Sequence, residues 1–214
     1  MFRVLPACLA LALPVAARAA PGSASGTISA PSDAGEVIVY VEKGPAEAAA
    51  AVSSEHREVL QRNSQFEPNA VWVRAGESVD FVNRDNIYHN VFSSSSGNSF
   101  DLGLYHGGKE KTVLMRSPGE VDVYCNIHPG MHAKVLVIPP GSSVAEVKPD
   151  GTYTLPDLAP GQYTLVAWSA RAEPVRSRVE VKAGGAARAD FTLKPRAPSG
   201  PHLNKYSEQY GRYR

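Results

Sequence analysis

Between Gly119 and Cys125 the chain reads Gly-Glu-Val-Asp-Val-Tyr-Cys, and Val121, Val123 and Cys125 alternate with Asp122 and Tyr124. That period of two is the signature of a half-buried β-strand, and it places the thiol on the inward face. The residues that follow, Asn126-Ile127-His128-Pro129-Gly130-Met131, carry a turn signal at Pro129-Gly130. The turn brings His128 and Met131 back toward the sulfur. A strand end followed at once by a tight loop lets one short segment supply three donor atoms in a fixed geometry.

A fourth donor, His89, sits in Tyr88-His89-Asn90-Val91-Phe92, after the strand break at Asn83–Asn86. One thiolate, two imidazoles and a thioether form a soft set. Zinc draws on Cys, His and carboxylate and takes thioether poorly. Copper suits the set better, since soft sulfur favours Cu(I) and imidazole serves both oxidation states. Two His and one Cys with a long axial Met is the ligand set of a blue-copper electron-transfer centre. The expected ligands of a single copper ion are therefore His89, Cys125, His128 and Met131. His132 follows Met131 directly and competes for the axial position. Neighbours on an extended segment face opposite ways, so one of the two reaches the metal, and Met131 is favoured.

The cysteine count sharpens this reading. Of the two cysteines, Cys8 lies in the apolar run Val4–Ala16, between a basic start (Met1-Phe2-Arg3) and a small-residue cleavage site (Ala17-Arg18-Ala19). Residues 1–19 read as a secretory signal peptide, which implies a periplasmic or secreted protein. The run is too short for a membrane span. Cleavage leaves a single thiol in an exported chain, where cysteines ordinarily pair. A metal that holds the thiol explains it. Cleavage also removes Arg3 and Arg18 but no acid, so the formal charge passes from +1 to −1. No bulk positive field then favours nucleic acid as a partner.

Elsewhere the pattern is β. Residues 20–35 (Gly, Ser, Ala, Pro) read as a flexible leader, and Glu36–Glu42 as a β-branched strand. The Ala-rich stretch 45–63 reads as a short helix or excursion between strands. Short strands with regular turn signals continue to Ile138 and make 36–138 a β-sandwich that carries the copper site. Pro139–Ser143 is a linker. Residues 139–194, with turns at Asp150-Gly151, Pro160-Gly161 and Gly184-Gly185, form a second, smaller β-sandwich. So small a unit is marginal alone and is expected to pack on the first, through Trp168. Residues 195–214 read as a disordered tail. His56, His106 and His202 are expected to be solvated, and Tyr88 and Tyr105 to be half-buried packing residues with wet hydroxyls.

Phe81-Val82-Asn83, His89-Asn90-Val91, Gly119 and Tyr124-Cys125-x-x-His128-x-x-Met131 together resemble the cupredoxins, the group of plastocyanin, pseudoazurin and amicyanin. The spacing of His128 and Met131 is similar to that of amicyanin. The stretch Phe66–Ile138, with Phe100-Asp101-Leu102-Gly103, resembles the plastocyanin-like proteins of the methylamine-utilisation kind. The resemblance implies an all-β, antiparallel Greek-key sandwich with copper on His89, Cys125, His128 and Met131. It also implies that Asn90 ties the ligand loops together by hydrogen bonds. Asp150-Gly151-x-Tyr153-x-Leu155-Pro156-x-Leu158-x-Pro160-Gly161-x-Tyr163 resembles the carboxypeptidase-regulatory-like sandwich domains. The function expected is that of an exported carrier of single electrons between redox partner proteins, not an enzyme. The alternative is a periplasmic copper chaperone or sensor. A copper oxidase or nitrite reductase needs a further copper on clustered histidines, and the remaining histidines are scattered with no His-x-His pair.

Overall fold

The computed structural model describes residues 19–45, 56–197 and 202–209, and no helix occurs among them. The seventeen strands begin with β1 (Gly22–Ser29), β2 (Ile38–Lys43), β3 (Arg57–Arg62), β4 (Gln65–Glu67), β5 (Ala70–Arg74) and β6 (Ser78–Asn83). They continue with β7 (His89–Ser93), β8 (Phe100–Tyr105), β9 (Glu110–Leu114), β10 (Gly119–Cys125), β11 (His132–Ile138) and β12 (Val144–Glu146). The last are β13 (Thr152–Leu158), β14 (Gly161–Ser169), β15 (Ala172–Val181), β16 (Ala186–Arg188) and β17 (Phe191–Thr192).

These strands form four sheets. Sheets β4-β3-β6-β9 and β5-β11-β10-β7-β8 enclose one core, which includes Phe81, Val121, Val123, Cys125 and Met131. Sheets β12-β2-β14-β15 and β13-β1-β16, with β17 also on β1, enclose a second core around Tyr153, Leu155 and Leu165. Most pairings are antiparallel, but β5 runs parallel to β11, β3 to β6, and β16 and β17 to β1.

Strand β11 shows how the two sandwiches join. Ala133, Val135 and Val137 point into the first core, while Leu136 and Ile138 point the other way, onto Trp72, Ile38, Tyr40, Val166 and Trp168. Strands β2 and β14 likewise divide their alternate residues between this middle layer and the second core. Strands buried on both faces read as continuous apolar runs, as Ile38–Val41, Leu165–Trp168 and Val135–Ile138 do. The result is a stack of four sheets with three apolar layers between them. A polar seam edges the middle layer: Glu120 accepts a hydrogen bond from Trp168 Nε1 at 2.7 Å and a forked pair from Arg196 at 2.7 and 2.8 Å.

The structure departs from the sequence reading in several places. The expected flexible leader contains β1, which lies between β13 and β16 in a sheet. Its linker-like composition is a packing requirement, because a Cβ on Gly26 would lie 1.9 Å from the Ala189 carbonyl oxygen. The strand expected to open the copper unit, β2, pairs instead with β12 and β14, so the second sandwich draws on both sides of the copper sandwich in sequence. Within the Ala-rich stretch, Arg57–Arg62 is the strand β3, with Val59 and Gln61 turned inward. Residues 46–55, and all but the last of the signal peptide, lie outside the described residues. Residues 202–209, read as a disordered tail, rest on the copper sandwich through His202 and Lys205.

Candidate metal centre

The segment that carries His89 is shaped by a polar turn. Strand β6 ends at Asn83, whose fully buried side chain accepts the Asp85 N–H at 3.0 Å. Its amide donates to the carbonyls of Ile87 at 2.9 Å and Tyr105 at 3.1 Å. This turn returns the chain into β7 with His89 at its head. Gly107 packs against the turn so closely that a Cβ there would lie 1.8 Å from the Asp85 carbonyl oxygen.

Asp85 in turn fixes His89. Its carboxylate accepts the N–H groups of Asn63 at 2.7 Å and Ser64 at 3.0 Å, and lies 2.8 Å from His89 Nε2. Burial works to raise the pKa of Asp85, but the Ser64 amide, the His89 imidazole and the Asn63 amide outweigh it. The carboxyl is held below its ordinary range. An anionic partner on Nε2 leaves Nδ1 as the lone-pair nitrogen and aims it inward.

There it meets two other donors. His89 Nδ1 lies 3.0 Å from His128 Nδ1 and 3.8 Å from Cys125 Sγ, and His128 Nδ1 lies 3.5 Å from the sulfur. A point in the plane of that triangle and equidistant from its corners lies about 2.0 Å from each, the length of a metal–imidazole bond and slightly short of a metal–thiolate bond. Both His89 and Cys125 are fully buried, and His128 is half-buried. Burial, with the neighbouring His89 adding to it and Asp85 opposing, pushes the His128 pKa below the ordinary imidazole range. A neutral ring is the form that can donate to a metal. The donor set and its spacing fit a copper ion.

Met131 lies in the same core as Cys125, fully buried, and its backbone closes the loop. Cys125 N–H donates to Met131 O at 3.2 Å, and Met131 N–H to His128 O at 3.0 Å. His132 turns the other way. It pairs with Tyr124 across β10 and β11, its ring stacks on that of Tyr124 at 4.9 Å, and its Nε2 lies 3.0 Å from Asp122 Oδ1. The His132 hydrogen bond, joined by Lys134 and opposed by burial, holds the Asp122 carboxyl well below the usual carboxylate range.

Asn90 joins the His89 and Cys125 segments through its backbone, its carbonyl accepting the Asn126 N–H at 3.3 Å. Its side chain donates to Asp101 at 2.6 Å, and its buried Oδ1 has no partner among the described residues. Tyr105 is buried rather than wet at its hydroxyl. Gln61 donates to the phenol oxygen, which donates to Phe81 O at 3.3 Å, and burial pushes its pKa up. Tyr88 is exposed and meets the exposed His106 edge-on at 4.9 Å; His56, also exposed, lies 2.9 Å from Asp80. His202 is half-buried rather than fully solvated, its ring 4.3 Å from that of Tyr124. Asp85, Asp101 and Lys205 escaped the sequence reading. Asn83-x-Asp85 carries an Asx-turn signal for the first, and Asp101 lies in the Phe100–Gly103 motif without a role read from it, whereas nothing local marks Lys205.

The chain matches the copper binding proteins, plastocyanin/azurin family, over residues 55–138. It is 30% identical over 81 residues to the plastocyanin of Ulva prolifera, covering 34% of this chain and 83% of that one. It is 31% identical over 83 residues to amicyanin-alpha of Methylorubrum extorquens, covering 37% and 70%. The chain belongs to the plastocyanin/azurin family. It is thus a copper-binding protein of an electron-transfer family, with one His-Cys-His group among the described residues suited to one copper ion. A second match, to the carboxypeptidase regulatory-like domain, spans residues 128–194. Strand β11 falls within it, yet its hydrogen bonds place it in the copper sandwich, where it pairs with β10 and β5. A solved purple cupredoxin from Nitrosopumilus maritimus is similar at 18% identity and TM-score 0.35, over 38% of this chain and 98% of that one.

Proposed function

We propose that this plastocyanin/azurin-family protein is an exported mononuclear type 1 copper protein that carries single electrons between redox partner proteins. His89, Cys125, His128 and Met131 are its ligands. The observation that carries this reading is the triangle of His89 Nδ1, His128 Nδ1 and Cys125 Sγ, at the end of a core that also buries Met131. Copper bound there would supply one-electron Cu(II)/Cu(I) chemistry.

The chain's own residues suit that task in three ways. Asp85 and the Asn83 turn hold His89 from behind, and the loop hydrogen bonds between Cys125, His128 and Met131 set the other donors. A site fixed in this manner needs little rearrangement when its charge changes. Fully buried His89 and Cys125 are shut off from water, while half-buried His128 offers a ring edge to the outside. Exposed Ile87, Tyr88 and Leu104 border the His89 segment and give a modest apolar surface, enough for a weak, transient redox encounter. A closed site of this kind suits an electron carrier better than an enzyme, which needs room for substrate at the metal. No helix among the described residues is long and apolar enough to cross a membrane.

The test is optical and electrochemical. Cu(II) added to the protein should give an intense visible thiolate-to-copper band that Cys125→Ser abolishes, with reversible one-electron voltammetry. A weak tetragonal spectrum without reversible voltammetry would favour copper storage or delivery over electron carriage. Met131→Leu should keep the band and shift the potential; loss of the band with His132→Ala instead would overturn the axial assignment.

A further inference from the structure

We propose that residues 202–208 form a strap that positions the ligand-bearing segments from outside, with Lys205 as its positioning residue. The proposal rests on the ligand assignment given above. Three anchors support it. The His202 ring packs 4.3 Å from that of Tyr124. The Lys205 backbone N–H donates to Asn126 Oδ1 at 2.9 Å, and its Nζ donates to Asp101 Oδ2 at 2.6 Å. Tyr124 and Asn126 are the two sequence neighbours of Cys125. Asp101 accepts from Asn90 Nδ2 at 2.6 Å, and Asn90 is the residue after His89.

These contacts close a ring. Lys205 bonds Asp101, Asp101 is bonded by Asn90, the Asn90 carbonyl accepts the Asn126 N–H at 3.3 Å, and Asn126 accepts the Lys205 N–H. Two of its four members adjoin metal ligands on different strands, and Lys205 alone comes from outside the copper sandwich. Its geometry is set locally, because Asn204 Oδ1 accepts the N–H groups of Tyr206 at 2.9 Å and Glu208 at 3.0 Å in an Asx-type turn. Asp101 also receives the Gly103 N–H at 2.9 Å, so its carboxylate is fixed before Lys205 arrives. A partly exposed lysine–carboxylate pair contributes little to folding stability. The ring therefore acts on the placement of the ligand segments rather than on whether the chain folds, as outer partners of metal ligands do.

The experiment uses the full chain as wild type, Lys205→Met, Lys205→Arg, Asp101→Asn and the Lys205→Met/Asp101→Asn double variant. Copper release to a chelator, the position of the visible band and the labelling rate of Cys125 in metal-free protein are measured. Lys205→Met should speed both release and labelling about three- to tenfold and shift the band, with the melting temperature nearly unchanged. Lys205→Arg should restore most of the wild-type behaviour. The double variant should be no worse than Asp101→Asn alone, since the two act through one carboxylate. Wild-type release, labelling and band in Lys205→Met, or additive effects in the double variant, would overturn the strap while leaving the ligand assignment standing. A wild type with no thiolate–copper band would overturn the ligand assignment and the strap with it.

Discussion

The second sandwich closes its core with Tyr153, Leu155, Leu158, Tyr163 and Leu165, and its buried hydroxyls donate to backbone carbonyls. The Tyr153 hydroxyl donates to Ala189 O and that of Tyr163 to Ala159 O, each at 2.7 Å. The copper sandwich has an equally apolar centre around Phe81, yet at one end it buries Asn83, His89 and Asn90. Buried polar groups cost stability unless each finds a partner. Here the Asn83 side chain is met by its own turn, His89 by the Asp85 carboxylate and the Asn90 amide by Asp101, while Asn90 Oδ1 keeps no partner among the described residues. The same two-sheet plan thus carries a candidate metal site in one unit and, among the described residues, no such His-Cys-His group in the other, and the difference lies in a few residues at one rim.

The shared middle layer links the two, since β2, β11 and β14 are buried on both faces. Copper at about a thousandfold excess over its Kd should stabilise the protein by about 4 kcal/mol. If the sandwiches unfold together, that gain appears in the fluorescence of Trp168 as well as in the visible band. Two melting transitions, only one of them moved by copper, would break the link. The second test works from the second sandwich. Leu165→Ala should cost about 3 kcal/mol through the cavity it opens, seen as a lower melting temperature, while the visible band at room temperature stays as in wild type. At the rim the order reverses. Asp85→Asn should weaken copper binding about tenfold in a chelator competition, a larger loss than the modest drop in melting of metal-free protein that follows from its bonds to Asn63 and Ser64. An equal loss in both measurements would make Asp85 a folding residue instead.

How much of this could be read from the sequence differs between the two units for the same reason. The alternation of Val121, Val123 and Cys125 is a local signal, and the structure turns all three inward as read. The donors His89, Cys125 and His128 do converge, because each carries its chemistry in its own side chain. Met131 and His132 take opposite faces, as adjacent residues of an extended segment must. What was not legible depends on partners distant in sequence. β1 looks like a linker because its glycine answers to Ala189, and β2 looks like the start of the copper unit until β14 claims it. Lys205 has no local mark at all, since Asp101 and Asn126 lie far upstream. Composition reports what a segment can do alone, and these segments are defined by what packs on them.

The seam between the sandwiches offers the smallest test, and its sign can be worked out. Burial works to raise the pKa of Glu120, but hydrogen bonds from Arg196 and Trp168 and the charge of Lys134 outweigh it, so its folded-state pKa lies below its ordinary value of 4.5. A carboxyl whose pKa is lowered by folding contributes stability that is fully present above its unfolded pKa. That contribution is lost as pH falls through the folded value. In metal-free protein, where proton competition at the imidazoles does not enter, Glu120→Gln should be less stable than wild type at pH 6. The gap should narrow below pH 4.5 and close once wild-type Glu120 is itself protonated. Denaturant titrations at stepwise pH would show this. A gap constant from pH 6 to pH 3 would mean that Glu120 contributes to the seam by shape alone. The coupling of the two sandwiches would then rest on the apolar layer of Trp72, Leu136, Ile138, Val166 and Trp168.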